Sequence, residues 1–506
     1  MNSFNRRNFL QLSSLSIASL ASLSLLTPNR LLAQQSVLLS QENLQKLPTN
    51  STMIHLLNRT SFGVTQDDID LYQQLGYEGY IDYQLQADSI DDTEIEEFID
   101  QRLLTINMSQ IEIRQLIDND ELNQFAVADE LKVATLLRAV YSKKQLLQVM
   151  VEFWNNHFSV FHFDGPISAL KTAEDREVIR PLSLSSFSEL LHADAKSPAM
   201  IYYLDTFSSN KEAPNENYAR ELMELHTLGV DGPYTHHDID EVARCFTGWK
   251  LNRRTGSFRF SPADHDFDEK MVLNTLIPAG NGIEDGQQVL DILANNESTA
   301  DFIARKLCIH FISDEPDKNI IESTSQVFKD SKGDIKQLVK HVLMSKDFQM
   351  SQDAKLKRPF HYVASALRTV KSGYQTRRVG RTINRLLESL GQSPFNWQTP
   401  DGYPDYASHW LSTSGLLLRW NFINLLSFND IRGLEYTIED IISLPYTAEN
   451  IVNQFETNLI HRLFNPGDKD ALINYLSVNE VSSEVPRIKI QSALAIVLSS
   501  AYFQLS

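Results

Sequence analysis

Apolar residues recur at helical spacing through most of the chain, and the densest such pattern lies at residues 215–249, NENYARELMELHTLGVDGPYTHHDIDEVARCFTGW. On a helix turning about 100° per residue, Tyr218, Ala219, Leu222, Met223, Leu225 and Leu228 cover more than half the circumference, which predicts a largely buried helix. Glu221 and His226 project from within that apolar surface and need partners there. Glu216, Arg220 and Glu224 stack at spacings of four on the remaining face as a charge ladder. Gly229 should end the helix, Asp231-Gly232-Pro233 should turn the chain, and Thr235 with Asp238 forms the capping pair of a second helix.

The same periodicity extends outward from this centre. Thr65 with Asp68 caps a helix running towards Gly76, residues 129–141 read as helix, and Ser142-x-x-Gln145 predicts a capping box opening QLLQVMVEFWNNHFSV. On that last helix Leu146, Met150, Phe153, Trp154 and Phe158 form the apolar arc, with His157 near its middle. After Trp249 the pattern breaks: Arg253 to Ser257 reads as a turn and Phe258-Arg259-Phe260 alternates as a strand would, which predicts a small hairpin. Helical periodicity resumes from Ser298 and closes with an apolar helix over residues 488–503. The expected fold is therefore mainly α, a large multi-helix domain with a small β-hairpin insertion near residues 250–275. It spans residues 53–506, as one domain or as two tightly packed halves divided near 295.

Ahead of it, Arg6-Arg7 precede Phe9-Leu10 and a Ser/Leu/Ala run from Leu12 to Leu26, the pattern of a twin-arginine export signal over residues 1–33. That run is short and serine-interrupted, against the roughly 20 apolar residues of a spanning helix. Residues 34–52 read as a polar tether, and the mature protein is expected outside the cytoplasm, periplasmic or extracellular, with the twin-arginine translocase as its export partner and no membrane anchor. Removing Arg6, Arg7 and Arg30 with the signal takes the net charge of −19 to −22, which argues against nucleic acid as a partner. Cys245 and Cys308 could form one disulfide or remain two buried thiols.

Several residue groups offer chemistry. Glu221 and His226 lie about 140° apart on their helix, so one small ion could join them only with help from another element. His157 and the loop Asp264-His265-Asp266 are the elements in question, though His157 could equally be a core residue and the loop a solvated turn. Imidazoles and carboxylates from two helices and a loop would suit zinc, manganese or iron, which makes His157, Glu221, His226, His265 and Asp266 the expected metal ligands. Glu221, His226 and Arg220 are the expected catalytic groups. Phe395 to Trp410 carries Trp397, Tyr403, Tyr406 and Trp410, either a stacking surface for sugars and polymers or packing across helix ends. Nucleophile-elbow, phosphate-loop and dinucleotide motifs are missing from the sequence, as are haem-attachment and cysteine-zinc motifs.

NENYARELMELHTLGVDG followed by EVAR-x-x-TGW, together with HLLNRTSFG, FWNNHF and STADFIARKLCIHF, resembles the domain-of-unknown-function 1800 family of exported bacterial proteins. That family has no established activity. Its members are often encoded beside the domain-of-unknown-function 1501 family, whose members look like exported alkaline-phosphatase-type proteins. Two expectations follow: a metal-dependent, hydrolytic enzyme, or a noncatalytic assembly partner of such a protein.

Overall fold

The computed structural model describes residues 51–162, 167–252, 254–374, 377–477 and 484–506. The expected export signal, most of the expected tether and Arg253 in the predicted turn lie outside them. The described chain is mainly helical, with short antiparallel ladders. Its described residues form two compact units: those within 51–80, 349–393 and 404–506 make one, and those within 81–348 and 394–403 make the other. The units thus interleave along the chain. Among the described residues no helix is long and apolar enough to cross a membrane.

The second unit carries most of the residues singled out above. Its helices are α1 (Thr93–Arg102), α2 (Gln110–Asp118), α3 (Gln124–Tyr141), α4 (Gln145–His157), α5 (Ile167–Glu174), α6 (Phe187–Ala195), α7 (Pro198–Tyr203), α8 (Glu216–Glu221), α9 (His236–Cys245), α10 (Ile283–Ala294), α11 (Glu297–Phe311), α12 (Lys318–Ser331) and α13 (Ile335–Met344). Helix α5 packs on α3 and α7, α8 on α9, and α11 on α12. Trp154, Phe158, Phe187, Leu190 and Leu222 are all buried in its core. Two antiparallel hairpins stand where one was expected: β1 (Trp249–Leu251) with β2 (Phe258–Phe260), and β3 (Lys270–Val272) with β4 (Thr275–Ile277). The second was hidden because Met271 and Leu276 expose apolar side chains on so short a ladder.

In the first unit, α14 (Pro359–Thr369) carries Tyr362 between Phe422 of α15 (Thr413–Ser427) and Phe503. Helix α15 packs on α16 (Arg487–Ser499). The Thr65–Asp68 cap forms, with the Thr65 amide 3.0 Å from the Asp68 carboxylate. The Ser142 box does not: Lys144 occupies the cap position, and the Ser142 hydroxyl accepts from the Lys144 amide at 3.0 Å while donating to Asp92 at 2.6 Å. Cys245 and Cys308 are both free and buried, and burial pushes their thiols up, to about 11 for Cys308.

Candidate functional site

The central helix starts as expected, with the Asn215 side chain accepting from the Asn217 amide at 2.8 Å. It does not stay regular. From Leu222 to Thr227 it widens into a π turn, in which the Leu228 amide reaches the Met223 carbonyl at 2.8 Å. Such a turn inserts a residue into the helix and re-aims the side chains after it. Gly229, at φ +86°, then ends the helix, and the Thr235–Asp238 capping box opens α9.

His226 is re-aimed inward. It is fully buried, with its ring 5.1 Å from Phe158 and 6.0 Å from His157. Neither of its nitrogens meets a partner among the described residues, and burial, with the nearby Lys306 ammonium, pushes it down to about 3. His157 is equally buried but satisfied on both sides: Nδ1 lies 2.9 Å from Lys306 Nζ, and Nε2 lies 3.1 Å from the His226 carbonyl. An ammonium only donates and a carbonyl only accepts, so His157 is neutral with its proton on Nε2. Burial, followed by Lys306 and His226, holds it well below the usual imidazole range.

Glu221 faces elsewhere. It is half-buried, and burial first and Glu224 second raise its carboxyl, with Arg220 opposing and Asp401 adding to the rise. Arg220 is fixed between Glu216 at 3.1 Å and Glu224 at 3.6 Å, the predicted ladder. Asp401 comes from the aromatic segment. Its Oδ1 accepts from the Trp397 indole N–H at 2.8 Å and from the Thr399 hydroxyl. Tyr203 joins the group by donating to the Gln398 carbonyl at 2.8 Å, and is pushed up to about 12 by burial and then by Glu221 and Asp401. The segment is locked to α4, because Asn156 Oδ1 accepts from the Tyr403 amide at 2.7 Å and its Nδ2 donates to the Tyr403 carbonyl at 2.9 Å. Gly402 makes this approach: at φ +73°, a Cβ there would lie 2.1 Å from the Asn156 carbonyl oxygen.

The four aromatics of that segment part company. Trp397 is half-buried against Tyr403, with ring centres 4.9 Å apart, and Tyr403 is buried. Trp410 is buried with its indole on the Pro404 carbonyl, while Tyr406 is exposed. Tyr406 and Trp410 also belong to the other unit.

His265 and Asp266 hold the second hairpin. His265 is buried, with Nδ1 2.7 Å from the Thr247 carbonyl and Nε2 3.2 Å from Asp285. Lys270 Nζ donates to Asp285 at 2.7 Å, and Asp266 accepts from Arg244 Nε at 2.7 Å. Arg244 and Asp266 reinforce each other in direction, the carboxylate lowered and the guanidinium raised.

Among the described residues the expected ligands are not gathered together: no three of them bring ligand atoms within 4.8 Å of one another. His157 turns one nitrogen to an ammonium and the other to a carbonyl, His265 spends both of its nitrogens, and Asp266 is ion-paired. Glu221 has Arg220, Glu224 and Asp401 as its charged neighbours. The reason is that wheel position fixes the face a residue takes but not which partner meets it there. Among the described residues one His/Asp/Glu trio brings ligand atoms within 4.8 Å of one another: Glu216, His236 and Asp240. Its Glu216 already pairs with Arg220. Sequence reasoning missed Asp401, Lys306 and Asp285. Lys306 could have been found, since it lies one turn from both Phe302 and His310 on a helix whose apolar face it interrupts.

A family described as "Protein of unknown function (DUF1800)" matches residues 55–505. No curated protein and no solved structure matches the chain.

Proposed function

The chain belongs to the DUF1800 family, from which no activity can be borrowed, and we propose from its own residues that it is an exported hydrolase using acid–base chemistry. Glu221 is the proton donor and Asp401 the proton acceptor. The observation that carries the reading is this pair: a half-buried carboxyl raised by its surroundings, beside a carboxylate oriented by two donors. Enzymes that cleave acetals and esters divide labour between two carboxyl groups in this way. Glu221 protonates the leaving oxygen, and Asp401 takes the proton of the attacking water. Tyr203 stands beside both and Arg220 sets the field at Glu221. The half-buried Trp397 ring offers an apolar platform of the kind that hydroxyl-rich rings stack on, so the substrate class we infer is a polysaccharide-like polymer. The twin-arginine pattern at Arg6-Arg7 supports work outside the cytoplasm.

The test is release of new ends from a panel of soluble polysaccharides by the mature protein. Glu221→Gln and Asp401→Asn should each cut turnover by about 10²–10⁴-fold, and Trp397→Ala should raise KM more than it lowers kcat. Activity should fall as pH rises through the elevated Glu221 titration, because the donor must be protonated. Hydrolysis unaffected by Glu221→Gln would end the proposal. A second reading rests on α15, which is apolar on most faces yet exposes Leu417 and Leu425. Such a surface suits an assembly partner, and stable co-purification with a DUF1501 protein, without hydrolysis of any polymer, would favour it.

A further inference from the structure

Elsewhere in the same unit lies a second group of ionisable side chains that the proposed hydrolysis does not use. Lys171 and Glu174 of α5 form an ion pair at 2.7 Å with both side chains fully buried. Asp194 of α6 is also buried, and its carboxyl lies within hydrogen-bonding reach of Glu174. Among the described residues, neither Glu174 oxygen nor Asp194 Oδ1 has an N–H or O–H donor in bonding geometry. Two ionised carboxylates cannot face each other in a dry interior, and one ammonium neutralises only one of them. A proton between them resolves both problems.

We propose that Asp194 and Glu174 share one proton, forming a proton-locked joint between α5 and α6 that loosens as pH rises. In the locked state Asp194 is the acid, donating to the Glu174 carboxylate, which pairs with Lys171; the trio is neutral. Loss of the proton to hydroxide leaves two carboxylates against one ammonium, a net buried charge of about −1 that only separation and hydration relieve. Burial first and Glu174 second hold Asp194 well above the usual carboxylate range, with Lys171 opposing.

The surrounding groups can be named element by element. From α8, Tyr218 stands beside Asp194 and is held neutral by burial and by that carboxyl. The π turn Asp175–Ile179, which continues α5 and packs on α6, contributes Asp175, already bonded to Arg180 at 2.6 Å and to Asn155 at 2.8 Å. Helix α10 meets α6 through Asp291 and His192 at 2.9 Å. Helix α7 brings no charged side chain to α6. Lys132 of α3 and His162 also lie near Lys171, and burial and Lys132 push His162 down to about 3. None of these is a second cation for Asp194.

The sign follows from proton counting. The folded state holds the Asp194 proton above the pH at which the unfolded chain releases it, so stability is lost as pH rises from about 4 to the folded titration. His226 and His157 act oppositely below about pH 6.5, so the readout is the difference between wild type and variant. The experiment is urea unfolding of the mature protein from pH 4 to 9 for wild type, Asp194→Asn and Glu174→Gln. It is paired with infrared spectroscopy at pH 7 for a protonated-carboxyl C=O band in the wild type that persists in Glu221→Gln, where the raised Glu221 carboxyl cannot supply it. Relative to Asp194→Asn, the wild-type unfolding constant should rise towards tenfold per pH unit within the window, and the infrared band should be present. Parallel pH profiles, or no protonated carboxyl in the wild type at pH 7, overturn the proposal. If Asp194→Asn does not fold, Glu174→Gln and the infrared band decide it.

Discussion

Lys357 gives the sharpest stability prediction. Its ammonium is buried just ahead of α14, donating to the Ser365 hydroxyl at 2.9 Å and lying 4.3 Å from the Phe503 ring centre. Burial lowers it from 10.5 to about 7, with Asp353 opposing. A shift of about 3.5 units corresponds to about 5 kcal/mol between the two protonation states. The folded form prefers the neutral amine, so the unfolded chain binds the extra proton between pH 7 and 10.5 and stability rises with pH across that window. Below pH 7 the full penalty stands. Lys357→Met keeps the chain length and places a polarisable sulfur near Phe503, at a cost of about 1–3 kcal/mol for the orphaned Ser365 hydroxyl. The variant should therefore be about 2–4 kcal/mol more stable than wild type at pH 7, an advantage that falls away as pH rises to 10.5. Urea midpoints at unchanged m-value measure this, with hydrogen exchange over residues 359–369 reporting the first unit separately. A variant whose profile parallels the wild type, or that is destabilised at pH 7, refutes the reasoning.

Two further outcomes test the second unit. Gly402→Ala must place a Cβ 2.1 Å from the Asn156 carbonyl oxygen in a left-handed backbone; it should cost about 2–5 kcal/mol and free residues 394–403, read as faster hydrogen exchange there and altered Trp397 fluorescence. His226→Leu removes a buried imidazole whose nitrogens have no protein partner, so it should gain about 1–2 kcal/mol at pH 7 and lose the acid instability expected as pH falls from 6.5 towards 3; a loss of several kcal/mol instead would show that the ring is bonded and needed.

Local physics made part of this legible in the sequence. The Thr65 and Thr235 caps, the stop at Gly229, the buried arc around His157 and the Arg220 ladder all depend on neighbours within four residues, where sequence spacing is geometry. The Ser142 box failed because Asp92, from 50 positions away, holds both the Ser142 hydroxyl and the Lys143 amide, and the helix starts beyond them at Gln145. The π turn failed for a related reason: its apolar pattern is that of an α-helix, and only packing decides that one extra residue is accommodated. His265 and Asp266 were read from the sequence as metal ligands or as part of a solvated turn, and the structure gives them protein partners instead. Those partners, Asp285 and Arg244, make them a hairpin anchor, and no local pattern specifies such a pairing.

The buried charges divide between the two units in a way that bears on how the protein responds to its surroundings. In the first unit, Lys357 is a base held neutral, so raising pH above 7 strengthens that unit. In the second, the Asp194–Glu174 joint is an acid pair held protonated, so raising pH weakens it. Neither sign comes from surface charge, which salt would screen within about 10 Å. Both come from the cost of burying an ion with one partner too few. A cytoplasm buffered near neutrality gives such groups little to report, whereas the compartment outside it, where the proposed export would place the chain, follows the pH of the medium. On this argument the unit holding Lys357 is weaker at pH 7 than in alkali, whereas alkali loosens the unit holding Glu221 and Asp401, so alkali would disable the proposed hydrolysis twice over: by deprotonating Glu221 and by unlocking α5 from α6 in the same unit.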